Sequence, residues 1–116
     1  MATQAVTVLG IGNGKIQMVE KTENIGDKPT RTLVISDALY EVEITDLTQL
    51  GELIHALRLQ QCWEIVTLGD ARVEVRADGN HFTLYAWTSQ CIHDIVRVTF
   101  GDTQSLAIIG LLEPTY

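Results

Sequence analysis

Basic residues are scarce in this sequence: eight lysines and arginines stand against 15 aspartates and glutamates, for a formal charge of −7. A protein that grips duplex nucleic acid concentrates Lys and Arg on one face to displace phosphate counterions, and neither half of this chain is basic, so that class is disfavoured. Repulsion from an anionic membrane surface follows from the same imbalance. Proline is also rare, two in 116 residues, and charged residues make up only 20% against 46% hydrophobic. That composition excludes a disordered chain and suits an ordinary globular core.

Cysteine is limited to Cys62 and Cys91, and the start of the chain lacks the charged, apolar and cleavage regions of a secretion signal. The expected location is therefore a reducing cytoplasm, with the two cysteines as buried thiols rather than a disulfide. No apolar run is long enough for a membrane span, the longest being Leu106 to Leu112.

What remains is material for one domain, residues 1–116, folding around one core. Gln4 to Ile11 and Lys15 to Lys21 are β-like segments about Gly12-Asn13-Gly14, a hairpin signature. Thr22 to Thr30 has little periodicity and is the expected mobile loop. Strands follow at Arg31 to Ser36 and Leu39 to Thr45, the second alternating Tyr40, Val42 and Ile44 with Glu41 and Glu43.

The period then changes. Asp46 occupies a helix N-cap position with Gln49 three residues on, and Leu47, Leu50, Leu53, Ile54 and Leu57 form one apolar stripe. This predicts an amphipathic helix near residues 46–61, with Leu59 on its far side and Gly51 marking a close contact with a strand. Further strands are expected at Cys62 to Leu68, Ala71 to Ala77, Asn80 to Trp87, Ile92 to Phe100 and Ser105 to Leu112. The last is apolar at both parities, so as a strand it would be covered on both faces. The fold class is α+β, a predominantly antiparallel sheet of about 8–9 strands with one helix. No internal repeat is visible in the sequence.

Motifs that carry chemistry are absent or incomplete. Gly10-Ile11-Gly12-Asn13-Gly14-Lys15 has the wrong spacing for a phosphate loop and leads into a strand rather than a helix. Cys91 and His93, even joined by Cys62, His55 or His81, do not offer the two local ligand pairs of a structural zinc site, so neither metal nor cofactor is expected. No catalytic constellation stands out, and the enzyme reading is the minority one.

The most distinctive surface is the face of the Asp78-Gly79 hairpin turned away from the core. A two-residue turn at Asp78-Gly79 sets Arg76 opposite His81 and Arg72 opposite Tyr85, and gathers Arg72, Arg76, His81, Tyr85 and Trp87 on one side. Planar guanidinium donors beside aromatic rings suit a partner protein or an anion. The expectation is a non-catalytic, homo-oligomeric binding protein acting through a sheet face. The alternatives are a binder or sequestering protein for an anionic nucleotide-like ligand, and an acidic inhibitor that blocks a basic site on another protein.

Overall fold

The computed structural model describes residues 3–23, 26, 29–59, 63–78 and 81–113. Eight strands and two helices follow one another as β1 (Thr3–Ile11), β2 (Gly14–Thr22), β3 (Thr30–Ser36), β4 (Glu41–Ile44), α1 (Leu50–Arg58), β5 (Glu64–Leu68), β6 (Ala71–Asp78), β7 (His81–Thr88), β8 (Cys91–Gly101) and α2 (Asp102–Leu112). The fold is α+β and mostly antiparallel. Of the expected loop at Thr22 to Thr30, residues 24, 25, 27 and 28 lie outside the described residues.

Both halves run four strands and then a helix. Sheet A has the order β1-β2-β3-β4 and sheet B the order β5-β6-β7-β8. Every strand thus pairs with its neighbour in sequence, as short antiparallel connections favour. Alternation decides what each sheet buries. Ile16, Met18, Leu33, Ile35, Val42 and Ile44 point inward from sheet A, while Val66, Val73, Val75, Leu84, Val96 and Val98 do so from sheet B, and all join one core cluster. Phe82 and Phe100, opposite one another on β7 and β8, stack with ring centroids 5.5 Å apart in that core.

Helix α1 is shorter than its sequence pattern suggests. Leu50, Leu53, Ala56 and Leu57 are buried, Leu47 and Ile54 pack beside them, and Leu59 is exposed, so the stripe lies where the 3.6-residue period puts it. Asp46 is not the cap. Its carboxylate instead accepts from the Thr48 hydroxyl at 2.7 Å and the Thr48 N–H at 3.1 Å, holding a turn that precedes the helix. Gln49 is the N-cap residue and makes no side-chain cap bond.

Gly51 marks no close contact: nothing lies within 4 Å of a Cβ placed there, and the same holds for Gly110 in α2. Both glycines therefore weaken exposed helical surface with no packing gain. Gly51→Ala and Gly110→Ala are each expected to stabilise the protein by about 0.4–1 kcal/mol, measured as a rise in the urea unfolding midpoint.

The segment expected as a final strand is a helix. Ser105, Ile108, Ile109 and Leu112 are its buried residues, at the i, i+3, i+4, i+7 spacing of one helical face. Leu106 is 70% exposed on another side. The side-chain oxygen of Gln104 accepts from the Gly101 N–H at 3.2 Å, and the Ser105 hydroxyl donates to the Asp102 carbonyl at 2.6 Å, which secures the first turn. At the other end Arg31 donates to the Leu112 carbonyl at 3.4 Å, and Arg58 of α1 pairs with Glu113. The two-sided strand that argued for self-association is therefore absent: one side of the segment enters the core, and Leu106 and Ala107 stay exposed.

Side chains from sheet A clamp the edge of β8. Asn13, in the β1–β2 turn, donates through Nδ2 to the Arg97 carbonyl at 2.8 Å and accepts at Oδ1 from the Thr99 N–H at 3.0 Å. In the β3–β4 connection, Asp37 accepts from Leu39 and Tyr40 N–H at 2.8 Å each, and from the Arg97 N–H at 3.1 Å. Burial alone would raise the Asp37 carboxyl. The backbone donors Tyr40, Leu39 and Arg97 outweigh it and hold the group below its ordinary value of 3.8. The Asp46 carboxyl is also held low, by the Thr48 hydroxyl and then the Thr48 N–H.

A carboxyl held lower in the folded chain than in the unfolded one contributes stability that is complete above the unfolded value. That contribution is lost as pH falls through the folded value. Between about pH 5 and pH 2, Asp37→Ala protein should therefore lose less stability than wild type. Urea midpoints across that range measure the difference.

Candidate functional site

Cross-strand pairing builds the outer face of sheet B row by row, in the order β5, β6, β7, β8. One row is Thr67, Arg72, Trp87; the next is Ile65, Glu74, Tyr85, Arg97; then Arg76, Thr83, Thr99; and Asp78, His81, Gly101 close the hairpin end. The register is not the one a two-residue turn at Asp78-Gly79 would set: Asp78 pairs with His81. Arg76 thereby faces Thr83 rather than His81, and Arg72 faces Trp87 rather than Tyr85. Each partner moves by two residues. A two-residue step preserves the side to which each side chain points, so all five expected residues remain on the outer face.

The side chains are organised around Glu74, which is nearly buried although it lies on the outer face. Arg76 Nε donates to its carboxylate at 3.0 Å, and the Trp63 indole N–H donates to the same oxygen. The Arg76 guanidinium carbon also lies 5.0 Å from the centre of the Tyr85 ring, a favourable cation–π placement. Arg76 is thus held from two directions while half of its side chain stays in solvent. Trp63 is tethered at its nitrogen yet remains 65% exposed.

Arg72 is more committed. Its guanidinium donates to the Gly69 and Ala71 carbonyls at 3.0 and 3.1 Å, tying down the β5–β6 turn. Tyr85 and Trp87 are half-buried, and His81 is exposed at the far end, apart from the Trp63–Glu74–Arg76–Tyr85 group. The sequence pattern missed Trp63 and Ile65 beside Glu74, and Ile95 and Arg97 on β8. The signal for Ile65 was present: the segment leading into Leu68 is apolar at both parities, which marks a strand whose outward side chains also make contacts.

The rows carry three arginines against two acids. Within a chain of charge −7, this face is locally positive. Exposed Trp63, Ile65 and Ile95 supply apolar area beside that charge.

The thiol and imidazole groups do not form a described cluster. His55 is exposed on α1 and His93 on β8, Cys62 lies outside the described residues, and the Cys91 side chain is likewise outside them. Among the described residues no group of three or more His, Cys, Asp or Glu is placed to hold a metal ion. No described helix is long and apolar enough to cross a membrane. Two concavities, of about 480 and 520 Å³, open beside α1, one lined by Glu52, His55 and Glu64, the other by Arg31, Leu47 and Ile54. Neither includes a residue of the outer face. No protein-family model, curated protein or solved structure matches this chain.

Proposed function

We propose that this chain is a non-catalytic binding protein whose working surface is the outer face of sheet B, and whose partner is a protein presenting acidic and apolar groups together. One observation carries the reading: Arg76 is fixed by Glu74 at 3.0 Å and by the Tyr85 ring at 5.0 Å, next to exposed Trp63. Trp, Tyr and Arg are the residue types that dominate binding energy at protein interfaces, because they bury large area with few rotors and retain a polar group for orientation. Here they are held in place before a partner arrives, so little conformational freedom is lost on association.

The local charge supports the same partner. Three arginines on an otherwise acidic molecule steer an acidic surface to this face and away from the rest. A small anionic ligand is less well served, because such ligands occupy concave sites that enclose them.

The test is a set of matched variants used as bait for a cell extract. Trp63→Ala and Arg76→Ala should lose a captured partner that wild type retains, and Lys21→Ala, on sheet A, should retain it. Far-UV circular dichroism should be unchanged in all three. Equal recovery by every variant, or recovery indifferent to salt, would remove the proposal.

A further inference from the structure

The four sheet edges are treated differently. Strand β4 has only four residues and carries Glu41 and Glu43; β8 is clamped by Asn13 and Asp37; β5 is five residues long, begins at Glu64 and has α1 beside it. These are familiar ways of keeping an edge from pairing with another chain. Strand β1 has α2 beside it, but it is neither short, nor charged, nor clamped. Over nine residues, Thr3–Ile11, it holds no charged residue and no proline, and Gln4, Ala5, Val6, Thr7 and Val8 are all exposed, on both sides of the strand. Among the described residues, only β2 pairs with it.

From these observations we infer that β1 is a dimerisation edge, pairing antiparallel with β1 of a second copy to join the two A sheets into one sheet of eight strands. The charge-free edge is the argument for a second copy. Two molecules of charge −7 repel over most of their surface, and β1 presents a long hydrogen-bonding edge without adding to that repulsion.

The backbone sets the register. Ile11 and Gly14 flank the two-residue turn, so odd-numbered positions of β1 direct their N–H and C=O groups to β2. Gln4, Val6, Val8 and Gly10 direct theirs outward. Their midpoint is Thr7, which is also the midpoint of the strand. A two-fold axis at Thr7 sets Val6 against Val8 of the partner subunit and Gln4 against Gly10 of the partner subunit, so each outward donor meets an acceptor. That is the self-complementarity an isologous interface requires.

Sedimentation at tens of micromolar should give twice the 12.9 kDa chain mass. Val6→Pro deletes an outward N–H without touching a bond to β2, and should yield a monomer with unchanged circular dichroism. Thr7→Glu, which sets two carboxylates face to face, should weaken the dimer at least tenfold at neutral pH, and Thr7→Gln should not.

In a background with Cys62→Ser and Cys91→Ser, Thr7→Cys should oxidise to an intermolecular disulfide, since Cα atoms facing across a non-hydrogen-bonded pair lie about 4.5 Å apart. Ala5→Cys should not, its copies being about 14 Å apart along the strands at roughly 3.4 Å per residue. A monomeric wild type, a dimer that survives both Val6→Pro and Thr7→Glu, or equal cross-linking at residues 5 and 7 would overturn the proposal. Its outcome is independent of sheet B: Arg76→Ala should leave sedimentation unchanged, and Val6→Pro should leave partner capture intact.

Discussion

Gly12→Ala is expected to destabilise the protein by about 3–5 kcal/mol, a large share of the roughly 5–15 kcal/mol that holds a domain folded. Two effects combine. The residue sits at φ +48°, where an L side chain is strained by about 1–2 kcal/mol. An added Cβ would also lie inside the envelope of the Thr99 carbonyl oxygen, a backbone atom of β8 that cannot rotate away. Relieving that contact means lifting the β1–β2 turn from sheet B, which would break the two Asn13 bonds to Arg97 and Thr99. Gly14 is crowded in the same manner by the Ser36 carbonyl, while nothing lies within 4 Å of a Cβ at Gly10. Urea unfolding should therefore rank Gly10→Ala near wild type, and Gly12→Ala and Gly14→Ala far below it.

Ile108→Asp should abolish folding, and Leu106→Asp should change stability by no more than about 0.5 kcal/mol. Ile108 is a fully buried residue of α2, where a carboxylate would be stripped of its water. Leu106 faces solvent two residues earlier. A strand would place these two side chains on one face and make both substitutions severe, whereas a helix separates them by about 200°. Expression level and circular dichroism of the pair distinguish the two conformations.

The candidate face was legible in one respect and not in another. Alternation along β6 and β7 sorts Arg72, Arg76, His81, Tyr85 and Trp87 from Val73, Val75, Phe82, Leu84 and Ala86, and that sorting survives because the pairing shift is an even number of residues. Which outward residues meet was not legible. Asp-Gly is a strong turn signal, but pairing Asp78 with His81 lets Ala77 and Phe82 face each other on the inner side. The resulting contacts move Arg76 toward Tyr85 and leave His81 at the hairpin end. Trp63 joins the face only through its bond to Glu74, a contact across 11 positions that no local pattern announces.

The chain by itself determined the antiparallel β character, the inward set of almost every strand, the buried stripe of α1 and the acidity of the molecule. All of these depend on short-range periodicity or on simple counting. Tertiary structure decided the rest. The run from Ser105 to Leu112 is apolar on every side, so its intrinsic pattern suits a strand as well as a helix. What selects the helix is the space beside α1 and the sheets, which accepts Ser105, Ile108, Ile109 and Leu112 together. The clamping of β8, the exposure of Gln4 to Val8 on β1, and the fixing of Arg76 likewise depend on groups distant in sequence, which come together only when the two sheets close over their common core.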